Sequence, residues 1–199
     1  MEHTSGSSPT LNIIGERVAL GPFTRDLLEI DLRWINDLET QRNLGHIPRP
    51  RTIEQQTQYH ERATTSSTDV IFTIYERETL RPIGTTGLHH IEHHHRSADF
   101  GILIGERAAR GKGYGTEAAR LMLDFAFTAL GLHNVKLEVL EFNVAGIRAY
   151  EQAGFREIGR RTRCAFASGR YWDMVYMECL STEFTSPVLA DVFTPDAPR

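Results

Sequence analysis

The chain has 199 residues, 40% of them hydrophobic and 24% charged, and a formal net charge of −4 at pH 7. These values are typical of one soluble domain with a sizeable core, and the lack of a basic stretch argues against a nucleic-acid-binding protein. The two cysteines form no disulfide framework and no apolar run is as long as a membrane span, so we expect a reduced, cytoplasmic protein that contacts neither nucleic acid nor membrane.

Apolar spacing divides the chain into helices and strands. In the first predicted helix, Leu28, Leu32 and Ile35 recur at helical spacing, whereas β-branched and aromatic residues dominate DVIFTIYE at 69–76, as in a strand. In chain order the predicted elements are a strand 15–23, a helix 24–40, a loop 41–51, a helix 52–65, strands 69–76, 82–92 and 97–106, a helix 114–130, a strand 135–143, a helix 144–153, and strands 155–161 and 169–180. Antiparallel strands followed by a β-α-β-α-β run predict one mixed α/β domain.

The predicted domain occupies residues 11–182, between two short terminal segments. Residues 1–10 are small and polar, which predicts a disordered leader. The C-terminal tail, 183–199, contains three prolines, and we expect it to be ordered only where it docks.

The most informative stretch is ERAARGKGYGTEAARLML at 106–123, where Gly111, Gly113 and Gly115 alternate just before a helical pattern. Its spacing fits neither G-x-x-x-x-G-K-S/T, because a glycine follows Lys112, nor G-x-G-x-x-G. Glycines let a ligand approach the backbone, and amides at a helix N-terminus favour an anion. The loop therefore predicts a phosphate-binding site, with a turn that binds nothing as the alternative.

Further motifs accompany this loop. Residues 110–115, RGKGYG, fit the pattern Q/R-x-x-G-x-G/A, and NVAGIRAYEQAGF at 143–155 fits N-x-x-A/S-x-x-x-Y-x-x-x-G-F except at Gly146. Together with SADFGILIGERAARGKGYGTEA at 97–118 and RWINDLETQRNLGH at 33–46, these segments resemble the GNAT superfamily of acetyl-coenzyme A-dependent N-acetyltransferases. Within that superfamily they resemble the branch that includes ribosomal-protein N-terminal and spermidine acetyltransferases.

The resemblance implies a single GNAT-like domain with a central twisted mixed sheet, antiparallel N-terminal strands, one splayed parallel pair and helices on both faces. Coenzyme A would lie between the splayed strands, 98–104 and 135–142. Main-chain groups of Ile102, Leu103 and Ile104 would bind its pantetheine arm. Asn143 would contact that arm and would also cap the next helix, as its position alone suggests. The pyrophosphate would lie against Arg110, Gly111, Lys112, Gly113, Tyr114, Gly115 and Thr116.

Three residues are candidates for the chemistry. By resemblance, Tyr150 would donate a proton to the departing thiolate, which a phenol can do, although its spacing from Ile147 and Gly154 also fits a core aromatic. The general base would be Asp99 or Glu138, each of which could instead be a surface residue. Where relatives carry alanine or serine, Gly146 offers no hydroxyl.

The histidine-rich run HHIEHHH at 89–95 is predicted to form a solvated turn between two strands. Consecutive strand side chains point to opposite faces, so His93, His94 and His95 do not converge easily on one ion, and we predict no metal site. A role for His89 or His90 as a base or substrate contact stays open.

The function predicted is transfer of acetyl from acetyl-coenzyme A, as co-substrate, to a primary amine by direct attack. That amine would belong to a protein N-terminus, a polyamine, or an amino-bearing metabolite or antibiotic, and the region 41–65 would shape the choice. A non-catalytic acyl-coenzyme A sensor or an interaction module is the alternative. The resemblance also implies a homodimer, which no residue pattern indicates by itself.

Overall fold

The structure, a computed structural model, describes residues 8–45 and 48–193. Predictions for residues 1–7 of the leader, for His46 within the acceptor-shaping region and for residues 194–199 of the tail lie outside the described residues. The strands are Ile13–Ile14 (β1), Val18–Pro22 (β2), Val70–Glu76 (β3), Pro82–Glu92 (β4), Ser97–Ile104 (β5), Asn134–Leu140 (β6), Arg156–Ala167 (β7) and Arg170–Leu180 (β8). The α-helices are Leu28–Ile35 (α1), Leu38–Asn43 (α2), Ile53–Thr65 (α3), Tyr114–Asp124 (α4) and Val144–Ala153 (α5).

All eight strands form one mixed sheet in the order β1-β2-β3-β4-β5-β6-β8-β7. Neighbouring strands are antiparallel except for β5 and β6, which are parallel. The chain reaches β6 from β5 through α4, as a parallel connection requires. The predicted mixed α/β domain is confirmed.

The parallel pair separates soon after it begins. Register pairs join only Ser97 to Asn134, Ala98 to Val135 and Asp99 to Lys136. Beyond Asp99, β5 continues to Ile104 and β6 to Leu140 without pairing to each other. The unpaired halves form a wedge, and this is the splayed pair that the family resemblance implied.

Helices cover both faces of the sheet. Phe72 on β3 packs edge to face against Phe125, just after α4, with ring centroids 5.3 Å apart. The adjacent Ile71, which alternation places on the opposite face, lines a cavity together with Tyr59 of α3. The α1 end lies so close to β5 that Trp34 leaves no room for a Cβ at Gly105.

Two predicted boundaries were wrong in the N-terminal half. The helix predicted over 24–40 is broken, because α1 ends at Ile35 and α2 begins at Leu38. Asp37 caps the second helix by accepting a hydrogen bond from the Glu39 N–H at 3.2 Å. The predicted loop 41–51 consequently begins inside α2, whereas the helix predicted over 52–65 is confirmed, with Thr52 as its cap.

The described part of the tail docks on the end of α4. The Asp124 side chain is fully buried, and its Oδ2 accepts hydrogen bonds from the N–H groups of Val188 and Leu189, both at 2.9 Å. Its Oδ1 accepts the Thr128 hydroxyl at 2.8 Å, within the π-helical turn Phe125–Ala129. In the described part of the chain, no helix is long and apolar enough to cross a membrane.

Candidate active site

A cavity of about 910 Å³ lies where β5 and β6 diverge. This volume is within the range of ligand-binding pockets. Its walls come from both splayed strands, from the glycine loop, from the first turn of α4, from α5, and from α1 and α3 on the other side of the sheet. The strand residues along it include Gly101, Ile102, Leu103 and Ile104 of β5 and Leu137, Glu138 and Val139 of β6. One cavity therefore passes through the wedge and is open to residues on both faces.

The glycine loop adopts a backbone conformation that favours glycine. Gly111 has φ +73° and Gly113, the residue before α4, has φ +79°, both in the left-handed region. Gly111, Gly113, Gly115 and Thr116 line the cavity. The first N–H groups of α4 lack partners within the helix, so the loop presents donors and the positive helix end to the cavity. This arrangement suits a phosphate group.

Arg110 lines the cavity, but its guanidinium and the Tyr114 hydroxyl have partners within the protein. The Arg110 guanidinium donates to the Ile104 carbonyl at 3.0 Å and the Thr40 hydroxyl at 2.8 Å, and it pairs with Glu39 at 3.3 Å. The Tyr114 hydroxyl donates to Glu76 at 2.7 Å, and neither Tyr114 nor Lys112 lines the cavity. Arg110 thus lines the cavity while its guanidinium fixes α2 to the end of β5.

Tyr150 of α5 faces the wedge from the side of α4 and α5. Its ring packs edge to face against Phe100, with centroids 6.0 Å apart, and against Phe155 at 6.1 Å. It lines the cavity, and its hydroxyl has no partner among the residues that the structure describes. Burial raises the pKa of Tyr150 to about 12, so the phenol keeps its proton at neutral pH. A protonated hydroxyl beside the wedge can donate a hydrogen bond to a ligand bound there.

Asn143 caps α5, as predicted. Its Oδ1 accepts a hydrogen bond from the Gly146 N–H at 3.0 Å, and the residue lines the cavity. A Cβ on Gly146 would lie 2.7 Å from the Asn143 amide nitrogen, so glycine leaves room for this cap.

The two candidate bases differ in their surroundings. Asp99 pairs with Lys136 at 3.2 Å and with His90 at 3.0 Å, and it lines a smaller cavity of about 350 Å³ rather than the main one. Glu138 is exposed, lines both cavities and has no hydrogen bond or ion pair within the described ranges. The structure therefore brings Glu138, and not Asp99, to the main cavity.

Residues of α1 and α3 that sequence analysis missed line the far side of the cavity. Asp31 is 5% exposed and accepts a hydrogen bond from Gln56. Burial raises the pKa of Asp31 to about 6, although Gln56 and nearby Arg51 act in the opposite direction. Tyr59 lies beside them, 5.7 Å from the Arg51 guanidinium. The sequence did contain a signal for a buried Asp31, because this residue lies one helical turn after Leu28 and therefore on the same, buried side of α1.

The histidine run forms a turn at residues 93–96, and the His94 and His95 rings contact each other with centroids 4.9 Å apart. No group of three or more metal-ligating side chains lies within 8–45 and 48–193. His89 differs from the other residues of the run, because it lines the main cavity, and its ring contacts Asp69.

Comparison with known proteins agrees with this geometry. A family model described as an acetyltransferase (GNAT) domain matches residues 17–156. The spermidine N(1)-acetyltransferase of Vibrio cholerae is 29% identical over 157 residues, which cover 77% of this chain and 90% of that protein. The spermidine N(1)-acetyltransferase of Escherichia coli K12 is 36% identical over 112 residues, which cover 56% of this chain and 58% of that protein. The solved structure of spermidine N-acetyltransferase from Vibrio cholerae, in complex with CoA and spermine, matches with a TM-score of 0.78 and 25% identity over 85% of this chain and 98% of that one.

Proposed function

The chain belongs to the GNAT acetyltransferase family and is an acetyl-coenzyme A-dependent N-acetyltransferase, and we propose that its acceptor is a polyamine. Two named relatives act on spermidine, and one solved neighbour holds CoA and spermine. The observation that carries the proposal is the continuity of one cavity from the split strands to a region that contains carboxyl groups.

The coenzyme part of this cavity is formed by the wedge and the glycine loop. The edge of β5 beyond Asp99 has no neighbouring strand and can bind an extended arm in its place, except at the Ile104 carbonyl, which already accepts a hydrogen bond from Arg110. The loop at Gly111 and Gly113 lines the same cavity and would bind the pyrophosphate, and Tyr150 lies beside the wedge. The thioester would be held at the start of the split.

The acceptor part of the cavity has the chemistry of a polyamine site. A polyamine carries ammonium groups separated by methylene chains. The carboxyl groups of Asp31 and Glu138 can attract such cations, and Phe23, Ile35 and Ile71 supply apolar walls. Arg51 also lines the cavity, but it donates to Gln56 at 3.0 Å and is thereby held beside Asp31.

The acetyl group would pass directly from sulfur to nitrogen. Neither cysteine lines the cavity, and burial raises the pKa of Cys179 to about 11, which leaves it a neutral thiol. The amine nitrogen forms the new C–N bond, the C–S bond breaks, and the sulfur takes a proton from the Tyr150 hydroxyl. The amine loses its own proton to a base.

A thiol-release assay with acetyl-coenzyme A tests the acceptor class. We expect release with spermidine and spermine, and Asp31→Asn and Glu138→Gln are expected to raise KM for these amines more than kcat changes. Glu29→Gln, an exposed change on α1, is the matched control. Release with N-terminal peptides or amino-sugar antibiotics, and none with polyamines, would contradict the proposal.

A further inference from the structure

We propose that His89, oriented by Asp69, is the general base that removes the proton from the attacking amine. This inference rests on the acyl transfer described above, but it does not depend on which amine is the natural acceptor.

His89 and Asp69 form a dyad at the edge of the main cavity. The antiparallel register pairs Val70 of β3 with Leu88 of β4, which places the preceding Asp69 opposite His89. His89 Nδ1 lies 3.2 Å from Asp69 Oδ1, and the histidine side chain is 32% exposed. The imidazole is therefore held at one nitrogen while it keeps access to the cavity.

The second nitrogen of the ring lies over two glycines. A Cβ on Gly87 or on Gly101 would be 3.3 Å from His89 Nε2, so the two glycines form an open floor beneath that atom. Gly101 is two residues beyond Asp99, the last β5 residue that pairs with β6. His89 Nε2 thus lies at the start of the split, where the thioester would be.

Asp69 is arranged to remain a carboxylate. Its Oδ2 accepts the Ser66 hydroxyl at 2.6 Å and its Oδ1 accepts the His90 N–H at 3.3 Å. Burial raises the pKa of Asp69, but these hydrogen bonds and the one to His89 outweigh it and hold the pKa below its ordinary value. A carboxylate accepts the proton on Nδ1, which leaves a lone pair on Nε2 toward the cavity.

The proposed base and acid lie on opposite faces of β5. Phe100 packs against Tyr150, whereas the next residue, Gly101, faces His89. As the amine attacks the thioester carbon, His89 Nε2 takes one proton from the nitrogen. The C–S bond breaks, and the sulfur takes a proton from Tyr150, which solvent restores. His89 then gives its proton to solvent, so a neutral amine yields the amide and the thiol with no net release of protons, whereas an acceptor that starts as an ammonium ion releases one proton when it becomes the neutral amine.

The other titratable groups around the dyad are less suited to this step. From β5, Asp99 is paired with Lys136 and His90. From α1 and the segment before α3, Asp31 and Arg51 belong to the Gln56 network, and Tyr59 of α3 has its pKa raised, first by burial. From β6, Glu138 lines the cavity without a partner in the described part of the chain, and we assign it to cation binding.

The test is the pH dependence of kcat/KM for wild type and three variants, measured with whichever amine the wild type acetylates. We expect His89→Gln to lower kcat/KM about 100-fold near neutral pH and to remove the acidic limb of the profile. Asp69→Asn is expected to lower kcat/KM less than His89→Gln does, because the imidazole stays in place but loses the carboxylate that accepts from its Nδ1. His94→Gln, in the exposed turn, is the control for histidine loss.

Two readouts separate this inference from the acceptor proposal and from misfolding. A wrong acceptor class moves wild-type activity to another set of amines, whereas a wrong base leaves His89→Gln as active as wild type on every set. Unchanged binding of coenzyme A by His89→Gln would show that the fold is intact. An intact His89→Gln protein within threefold of wild type, with the same acidic limb, would overturn the assignment.

Discussion

Tyr150 packs edge to face against Phe100 at the residue that follows the last paired position of β5. This contact fixes the only proposed proton donor beside the point where the two parallel strands separate. Strand β5 thus both positions the Tyr150 ring, through Phe100, and carries the backbone groups that would bind the coenzyme arm. We infer that acyl transfer takes place at this point of the sheet.

Tyr150→Phe is expected to lower kcat about 100-fold, because the ring packing is kept and only the hydroxyl is lost. Binding of coenzyme A by calorimetry should not change. Because the pKa of Tyr150 is raised to about 12, its ionisation should produce no basic limb in the neutral range. Tyr171→Phe, an exposed change, is the control, and an unaltered kcat in Tyr150→Phe would refute the role.

Gly113→Ala is expected to destabilise the protein by about 1 kcal/mol or more and to weaken coenzyme binding, because φ is +79° there. Its Cβ would also lie 2.9 Å from the Arg17 guanidinium. Gly115→Ala is the matched control, since its Cβ would be at an ordinary 3.6 Å from Ile104 within a helix. Chemical unfolding measures the stability of both variants, and equal stability would contradict the prediction.

Ionisation of Asp31 should lower the free energy of unfolding as pH rises from about 4 to about 6. Its folded pKa of about 6 exceeds the ordinary 3.8, so the folded state binds more protons in that window. Relative to wild type, Asp31→Asn should become more stable across the window by at most about 3 kcal/mol. Denaturant unfolding at several pH values measures this, with Glu29→Gln as control. A difference independent of pH would contradict it.

Asp124→Ala is expected to cost about 2–4 kcal/mol, because two tail N–H groups and one hydroxyl lose their buried acceptor. Hydrogen exchange at Val188 and Leu189 should accelerate at the same time. Asp191→Asn, on the exposed part of the tail, should change neither quantity. Slow exchange in Asp124→Ala would show that the carboxylate does not hold the tail.

Sequence patterns predicted elements whose periodicity and caps are local. The strand at 82–92 and the helix at 144–153 have the bounds that the sequence indicated. The splayed pair was implied by resemblance alone, because nothing in the periodicity of either strand shows where pairing stops. The homodimer and the role of Tyr150 stay predictions; Asp99 and Glu138 as the base are also untested, and we propose His89 in their place.

Contacts between distant segments were beyond sequence reasoning. Asp69 and His89 meet only because β3 and β4 pair in one particular register, and a shift by one residue would turn His89 to the other face. Arg110 looked like a phosphate ligand, but acidic residues of α2 lie within reach of its guanidinium. Both cases depend on partners whose position only the fold supplies.

The most direct test is a crystal structure of the protein with coenzyme A and spermine. We expect the pantetheine arm to lie between β5 and β6, its sulfur to be within hydrogen-bond distance of the Tyr150 hydroxyl, and a spermine nitrogen to lie on the His89 side of β5. A coenzyme bound outside the wedge, or a spermine that enters from the Tyr150 side, would contradict this expectation.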